Sequence, residues 1–97
     1  MNTTQNFENS RTDDLAKICK ALSHPTRVEI LKHLIDINKC VCGEIVNIFP
    51  LSQSTISQHL KHLKESGLVK GEANGPTTCY CIDHDVLNKF KSIVSSI

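Results

Sequence analysis

Cysteines are the residues of this sequence best suited to chemistry, and four of the five fall into two pairs with one residue between the partners. Cys40 and Cys42 form the first pair, Cys79 and Cys81 form the second, and Cys19 stands alone. Thiolates bind soft metal ions and take part in disulfide exchange. The polar first residues carry no secretion signal, so we expect a reducing, cytoplasmic location. There, metal binding or thiol chemistry is a better expectation than a disulfide framework.

The composition is that of one small folded domain. A chain of 97 residues, 39% apolar and 22% charged, can form a single hydrophobic core but hardly a deep substrate cleft as well. The formal net charge is only +1, so any nucleic-acid binding must come from a local basic surface. No stretch approaches the roughly 18 consecutive apolar residues of a membrane span, and we expect no membrane partner. These features favour a binding protein over an enzyme.

The first third of the chain is predicted to contain two helices. Residues 1 to 11 are polar and are predicted to form a flexible N-terminal arm, which leaves residues 12 to 97 as a single domain. Apolar residues recur at helical spacing over residues 15 to 22 and include Cys19, which is therefore predicted to be a core or interface residue. A proline opens a second, buried helix from about residue 25 to 35.

The rest of the chain is predicted to alternate short helices with one hairpin. A short third helix is expected before Pro50, and a fourth begins after Ser52, which can cap it, and ends at Gly67 in a left-handed conformation. Two segments of strand character follow, joined by an Asn-Gly tip. The last helix, over residues 83 to 97, is too apolar for an isolated surface helix and needs a partner.

A short helix, a tight break and a second helix with a polar exposed face are typical of a helix-turn-helix. Residues 42 to 49, 50 to 52 and 53 to 66 follow this order, and the hairpin comes next, as a wing would. The predicted fold is therefore mainly α with a small β-hairpin, a winged helix-turn-helix. Amides and hydroxyls can read bases, and cations can meet phosphates. The predicted DNA-binding residues are Ser52, Gln53, Ser54, Thr55, Ser57, Gln58, Lys61, His62, Lys64, Lys70, Asn74 and Gly75.

His59 lies on the fourth helix but is not predicted to contact DNA. It adjoins Leu60 and lies toward the core side, so we expect a hydrogen-bonded structural histidine rather than a base contact.

Four stretches of the sequence carry a resemblance to a known family: KALSHPTRVEILKHL, CVCGEIV, LSQSTISQHLKHLKESGLVKGE and the hairpin after them. In order and spacing they resemble the ArsR/SmtB family of dimeric winged-helix repressors, over about residues 13 to 90. The resemblance implies a homodimer formed largely by the first and last helices, which agrees with their surplus of apolar residues. It also implies a repressor that binds double-stranded operator DNA and leaves it when a metal ion or metalloid binds to the protein.

The C-V-C pair could not hold one ion from within a helix, because two residues correspond to about 200° of rotation. Cys40 and Cys42 are therefore predicted to lie at the frayed start of the third helix, where a helix N-terminus favours the thiolate. Their spacing resembles the metalloid-binding motif of arsenic-responsive members. This implies arsenite, antimonite or another soft metal ion as inducer, with no cofactor required. Those members have a third cysteine where this chain has Ile45. The candidates for a third ligand are Cys19, Cys79 and Cys81.

Two other hypotheses stay open. A disulfide between Cys40 and Cys42, or between either and a distant cysteine, would make the repressor redox-responsive, although the local bridge is strained. Alternatively, the winged helix could be a protein- or metal-binding module that binds no operator. An enzyme is not expected, because the possible Cys/His pairs lack a third, orienting group.

Overall fold

The computed structural model of the protein describes residues 2–42, 47–75 and 77–97. Over these ranges it has four α-helices and one two-stranded antiparallel sheet, which confirms the mainly helical fold with a small hairpin. None of these helices is long and apolar enough to cross a membrane. In chain order the elements are α1 (Asn2–Ala21), α2 (Pro25–Ile37), α3 (Gln53–Glu65), β1 (Val69–Asn74), β2 (Thr77–Ile82) and α4 (His84–Ser95).

That residues 1 to 11 form a flexible arm stays a prediction, although helix α1 begins at Asn2. The physical reason for this start is that no proline or glycine precedes Pro25, and nothing in the sequence breaks a helix there. Ile18 is buried as its spacing predicts, but Cys19 is exposed. The prediction of Cys19 as a core residue is therefore wrong for the single chain, and its place in an interface stays a prediction.

Helix α2 is the central helix of the core. The His24 side chain caps it, with Nδ1 accepting a hydrogen bond from the Thr26 amide at 3.1 Å, and Pro25 occupies the first turn. Ile30 and Leu34 have no exposed surface, which confirms the buried stripe that the sequence predicts.

Helix α3 lies across α2 and is bounded as the sequence predicts. The Ser52 hydroxyl accepts a hydrogen bond from the Thr55 amide at 3.2 Å, and Gly67 follows the helix with φ of 89°. Its buried side chains are Ile56, His59, Leu60 and Leu63. Half of the third helix predicted over residues 42 to 49 falls on residues 43–46, which lie outside the described residues, and residues 47–49 belong to no α-helix.

The hairpin forms as predicted, with β1 and β2 in antiparallel register from Val69 opposite Ile82 to Asn74 opposite Thr77. Gly75 at the tip has φ of 64°, a conformation that glycine adopts without strain. On its other edge β2 pairs with the chain at Val41, so three stretches of backbone lie side by side. The hairpin begins at Leu68 and Val69, which are buried directly after α3, so its base is fixed to the core.

Helix α4 closes the fold against α1. Asp83 caps it by accepting hydrogen bonds from two backbone amides, and Lys89 forms an ion pair with Asp14 of α1 at 2.9 Å. Its far end is apolar and uncovered in the single chain, because Val94 is 46% and Ile97 89% exposed.

Candidate nucleic-acid interface and thiol cluster

The surface of α3 that faces away from the core is uncharged and polar at its start and basic further along. At 100° per residue, the positions before the last turn that face away from the buried stripe are Ser54, Ser57, Gln58 and Lys61, here called the outward face. All four are exposed. The first carboxylate on this side is Glu65, the last residue of the helix. The outward face therefore presents hydroxyl, amide and ammonium groups without a negative charge among them.

The two edges of the outward face carry the remaining residues that the sequence predicts on α3. Gln53 and Lys64 lie along one edge, and the Lys64 side chain crosses β1, where a Cβ added to Gly71 would meet its Cδ at 3.2 Å. Thr55 and His62 lie along the other edge. The first edge therefore connects α3 with the hairpin.

The second edge of α3 borders a positively charged depression of about 420 Å³. Lys17, Lys20 and Arg27 line it together with His62, and Glu65 supplies a negative charge at the rim. The basic surface next to α3 thus extends onto α1 and α2, whose basic residues are not among the predicted DNA-binding residues.

The side chains of Ser52 and Thr55 are hydrogen-bonded to each other at the start of α3. The Ser52 hydroxyl donates a hydrogen bond to Thr55 Oγ1 at 2.9 Å and lies 3.2 Å from Ser54 Oγ. Both side chains are exposed, as a DNA-contacting role requires, but their hydroxyls already serve the helix cap. They are therefore as much positioning residues as candidate contacts.

The hairpin supplies the last three predicted DNA-binding residues. Lys70 is exposed on β1, and Gly75 is exposed at the tip. Asn74 closes β1, and its side chain lies outside what the structure describes. The structure therefore places Lys70 and the tip on the element that directly follows α3.

His59 is buried and hydrogen-bonded, which confirms the structural role expected of it. Its Nδ1 accepts a hydrogen bond from Arg27 Nε at 3.3 Å, and its ring centroid lies 4.5 Å from that of His24. Burial lowers the pKa of His59 below its ordinary 6.5, and the nearby His24, Arg27 and His62 charges lower it further. The neutral ring thus joins α3 to α2. Arg27 could not be predicted as its partner from the sequence, because the two residues are 32 positions apart.

Four cysteines come together on the strands, in two disulfides: Cys40 with Cys81, and Cys42 with Cys79. Their Cα atoms are 4.3 and 4.0 Å apart. Between them, Val41 and Tyr80 exchange two backbone hydrogen bonds of 2.9 and 2.7 Å. We call Cys40, Cys42, Cys79 and Cys81 the four-cysteine cluster.

Backbone pairing explains the position of each cysteine. A residue pair that exchanges both hydrogen bonds is flanked by non-hydrogen-bonded pairs, whose Cα atoms approach to about 4.5 Å. The cysteines occupy these flanking positions on one face of the sheet, while Val41 and Tyr80 face the core. The prediction that Cys79 and Cys81 point to the same side is confirmed.

Two expectations for the cysteines concern their position and their pairing. The chain at Val41 is extended and pairs with β2, so Cys40 and Cys42 flank a bridge between strands. Their place at the start of a third helix stays a prediction, because residues 43–46 lie outside the described residues. Disulfides are present although the sequence analysis disfavours a disulfide framework. Cys19 takes no part in the cluster and is a free thiol on α1.

Comparison with known proteins identifies the family of this chain. The family described as "Bacterial regulatory protein, arsR family" matches residues 24–70. The chain is also 37% identical over 75 residues to the arsenical resistance operon repressor of Staphylococcus xylosus, which covers 77% of this chain and 71% of that protein. This chain belongs to the ArsR family. The family comprises transcriptional regulators and not enzymes.

Two more relatives support the ArsR assignment. A cadmium resistance transcriptional regulatory protein CadC homolog of Staphylococcus aureus is 40% identical over 73 residues, which cover 74% of this chain and 60% of that protein. The solved structure of an ArsR-like transcriptional regulator from Rhodococcus sp. RHA1 superposes with a TM-score of 0.72 at 28% identity, over 88% of this chain and 79% of that one. The winged helix-turn-helix fold of this ArsR protein is thereby confirmed.

The buried His59 predicts a pH dependence of the stability of this ArsR protein. Its pKa is lower in the folded than in the unfolded chain, so between that lowered value and about 6.5 the unfolded chain binds more protons. The free energy of unfolding should therefore fall as the pH drops through this window. We expect His59→Gln to lose less stability than wild type between about pH 7.5 and about pH 5.5, measured by urea unfolding at one fixed protein concentration.

The matched control is His84→Gln, since His84 is exposed at the start of α4. It should follow the wild-type pH dependence. The assignment is contradicted if His59→Gln and wild type lose the same free energy over this range.

Proposed function

We propose that this ArsR-family protein is a sequence-specific transcriptional repressor that binds double-stranded operator DNA. The observation that carries the proposal is the outward face of α3, where hydroxyl, amide and ammonium groups stand on a helix anchored by buried leucines and isoleucine. A helix of this kind fits the major groove, with its N-terminal residues against base edges. Lys61, Lys64 and Lys70 are proposed as phosphate contacts, and residues 52 to 58 as the part that reads bases.

A homodimer is proposed as the DNA-binding form. Support comes from the uncovered apolar end of α4, and from a shallow depression of about 290 Å³ between α4 and α1 that Leu15, Ile93 and Ile97 help to line. A second copy on this surface would remove it from water. Two-fold symmetry would then set two α3 helices about 34–36 Å apart, in successive major grooves of an approximately palindromic operator.

A thiophilic metal ion or metalloid at Cys40 and Cys42 is proposed as the inducer that releases the operator. Two relatives are named for resistance to arsenicals and to cadmium, and both ions prefer sulfur ligands. For arsenite or antimonite a third thiolate is required. Cys79 and Cys81 are the proposed donors, because each lies directly across from one of the first two cysteines, whereas Cys19 is on α1.

A redox signal is the second candidate for the control of DNA binding, and the two disulfides favour it. Two thiols and one molecule of hydrogen peroxide give one disulfide and two molecules of water. The four-cysteine cluster could therefore consume two molecules of peroxide. The bond formed would join Cys40 or Cys42 to β2 and not to each other. This avoids the strained local bridge.

Operator binding by the reduced protein tests the proposed function, with DNA from immediately upstream of its own gene as the probe. Lys61→Gln should weaken binding to operator and random DNA alike, and reduce the slope of log affinity against log salt by about 0.9 for each lost phosphate contact, of which the proposed dimer has two. Gln58→Ala should instead reduce the preference for operator over random DNA by about 1–3 kcal/mol. Fluorescence anisotropy at several salt concentrations measures both quantities.

The matched control for Lys61→Gln is Lys91→Gln, because Lys91 is an exposed lysine on α4. This variant should bind as wild type does. An affinity for operator that is equal to that for random DNA and independent of salt would refute the repressor proposal and support a protein-binding module. An equal loss on both DNAs for Gln58→Ala would refute base reading by that residue.

Peroxide treatment tests the redox candidate. After mild oxidation, peptide mass spectrometry should find Cys40 joined to Cys81 and Cys42 joined to Cys79, with Cys19 outside these bridges. Oxidised wild type should lose operator affinity and regain it with a dithiol. The redox candidate is wrong if the fully bridged protein binds the operator as tightly as the reduced protein does.

A further inference from the structure

The reduced four-cysteine cluster has the composition and placement of a metal centre. All four sulfurs project from one face of three adjacent backbone segments, over the Val41 and Tyr80 pair. The cluster is open to solvent at one end, because Cys40 is exposed and Cys42 and Cys81 are only half-buried, whereas Cys79 is buried. An ion could therefore reach the sulfurs without opening the core.

The spacing of the cysteines is compatible with one ion between them. A tetrahedral centre with metal–sulfur bonds of about 2.3 Å needs sulfurs roughly 3.8 Å apart. The cross-strand pairs, whose Cα atoms are 4.3 and 4.0 Å apart, reach this separation when their disulfides open. Along one strand, cysteines two residues apart are about 7 Å apart at Cα, so their side chains must lean toward each other. The two pairs then enclose one position above the sheet.

Charged and polar side chains flank the cluster. In the β1–β2 register, Lys70 is opposite Cys81 and Glu72 is opposite Cys79, so both flank the cluster on its own face. A cavity of about 170 Å³ opens beside Cys40 and Cys81, and His84 and Lys39 line it with them. The thiolate is the form of cysteine that binds metal.

We infer that Cys40, Cys42, Cys79 and Cys81 together form one four-thiolate site for a single soft divalent cation of the zinc and cadmium class. Four thiolates match the tetrahedral preference of these d¹⁰ ions, whereas trivalent arsenic uses three. The inference deepens the proposed function, on which its regulatory consequence rests. It adds two ligands on β2 and names the charge and geometry of the ion that the site prefers.

The oxidised and metal-bound forms exclude each other. With both disulfides formed, the described part of the chain holds no cluster of three or more metal-ligating side chains. Each disulfide needs two electrons and two protons from a dithiol, which is itself oxidised to a disulfide, before its sulfurs can bind a metal. Binding then releases the thiol protons. A reducing compartment is therefore a condition for the site.

The metal would join two parts of the repressor that differ in function. Cys40 and Cys42 lie at the start of the predicted helix-turn-helix, while Cys79 and Cys81 belong to the second strand of the hairpin that follows α3. An ion held by both pairs would fix the hairpin relative to the helix-turn-helix. Its effect on DNA binding would therefore pass through the hairpin and α3.

Cadmium titration of the full-length reduced protein, without oxygen or free dithiol, tests the site. We expect one Cd²⁺ per chain, with saturating charge-transfer absorption from sulfur to metal and four thiols protected from a thiol reagent. Cys79→Ser and Cys81→Ser should each lower that absorption by about a quarter, one of four thiolates. Each should weaken binding by more than the roughly 100-fold upper limit seen for residues that only support a ligand.

Cys19→Ser is the matched control, since it removes a thiol outside the cluster. It should bind Cd²⁺ as wild type does. If Cys81→Ser fails to fold, Cys81→His keeps a metal ligand, and it should bind one Cd²⁺ with three thiolates. Wild-type affinity and absorption in both Cys79→Ser and Cys81→Ser would overturn the inference, as would one Cd²⁺ per two chains.

Operator binding by the same metal-free reduced samples separates this inference from the proposed function. If the metal-free protein does not bind the operator but still takes up Cd²⁺, the repressor proposal is refuted and the four-thiolate site stands. Operator binding without uptake of Cd²⁺ would refute the site alone.

Discussion

The backbone pairing of Val41 with Tyr80 is the constraint on which the arrangement of the candidate sites depends. Two hydrogen bonds join the stretch before the helix-turn-helix to the middle of β2, and Val41, only 2% exposed, fixes the join to the core. Because neighbouring residues alternate between faces, this one pair brings four sulfurs together on the opposite face. A shift of one residue would turn the cysteines into the core and Val41 and Tyr80 outward.

The same sheet is continuous with the proposed DNA-binding surface. Only a short turn separates the end of α3 from β1, and Leu68 within it has no exposed surface, so the helix and the hairpin share one core. Lys64 of α3 lies over Gly71 of β1, which makes a second contact between them. A change in the four-cysteine cluster therefore has a short path to α3. The side chains along this path are closely packed. Closely packed side chains switch between discrete arrangements more readily than they deform continuously.

Local signals account for what the sequence could predict. Ser52 as a cap, Gly67 as a helix stop and the Asn-Gly hairpin each depend on a few adjacent residues, and so does the polar face of α3. The paired cysteines are 41 and 37 positions apart in the sequence. Their pairing depends on the register between two distant strands, which neither stretch of sequence specifies by itself. The matching C-x-C spacing in two extended stretches was the available signal. The start of α1 could not be fixed from the sequence, because polar residues without a breaker are compatible with either a helix or an arm.

Operator affinity with and without bound metal is the measurement that tests this account most directly, because the account joins the cluster to DNA binding. Reduced wild type carrying one Cd²⁺ per chain should bind the operator about 5- to 150-fold more weakly than the metal-free protein, the usual range of coupling between two sites. Cys40→Ser should show no such change at the same metal concentration. Unaltered operator affinity in wild type that demonstrably holds the metal would contradict the account and leave the cluster without a regulatory role.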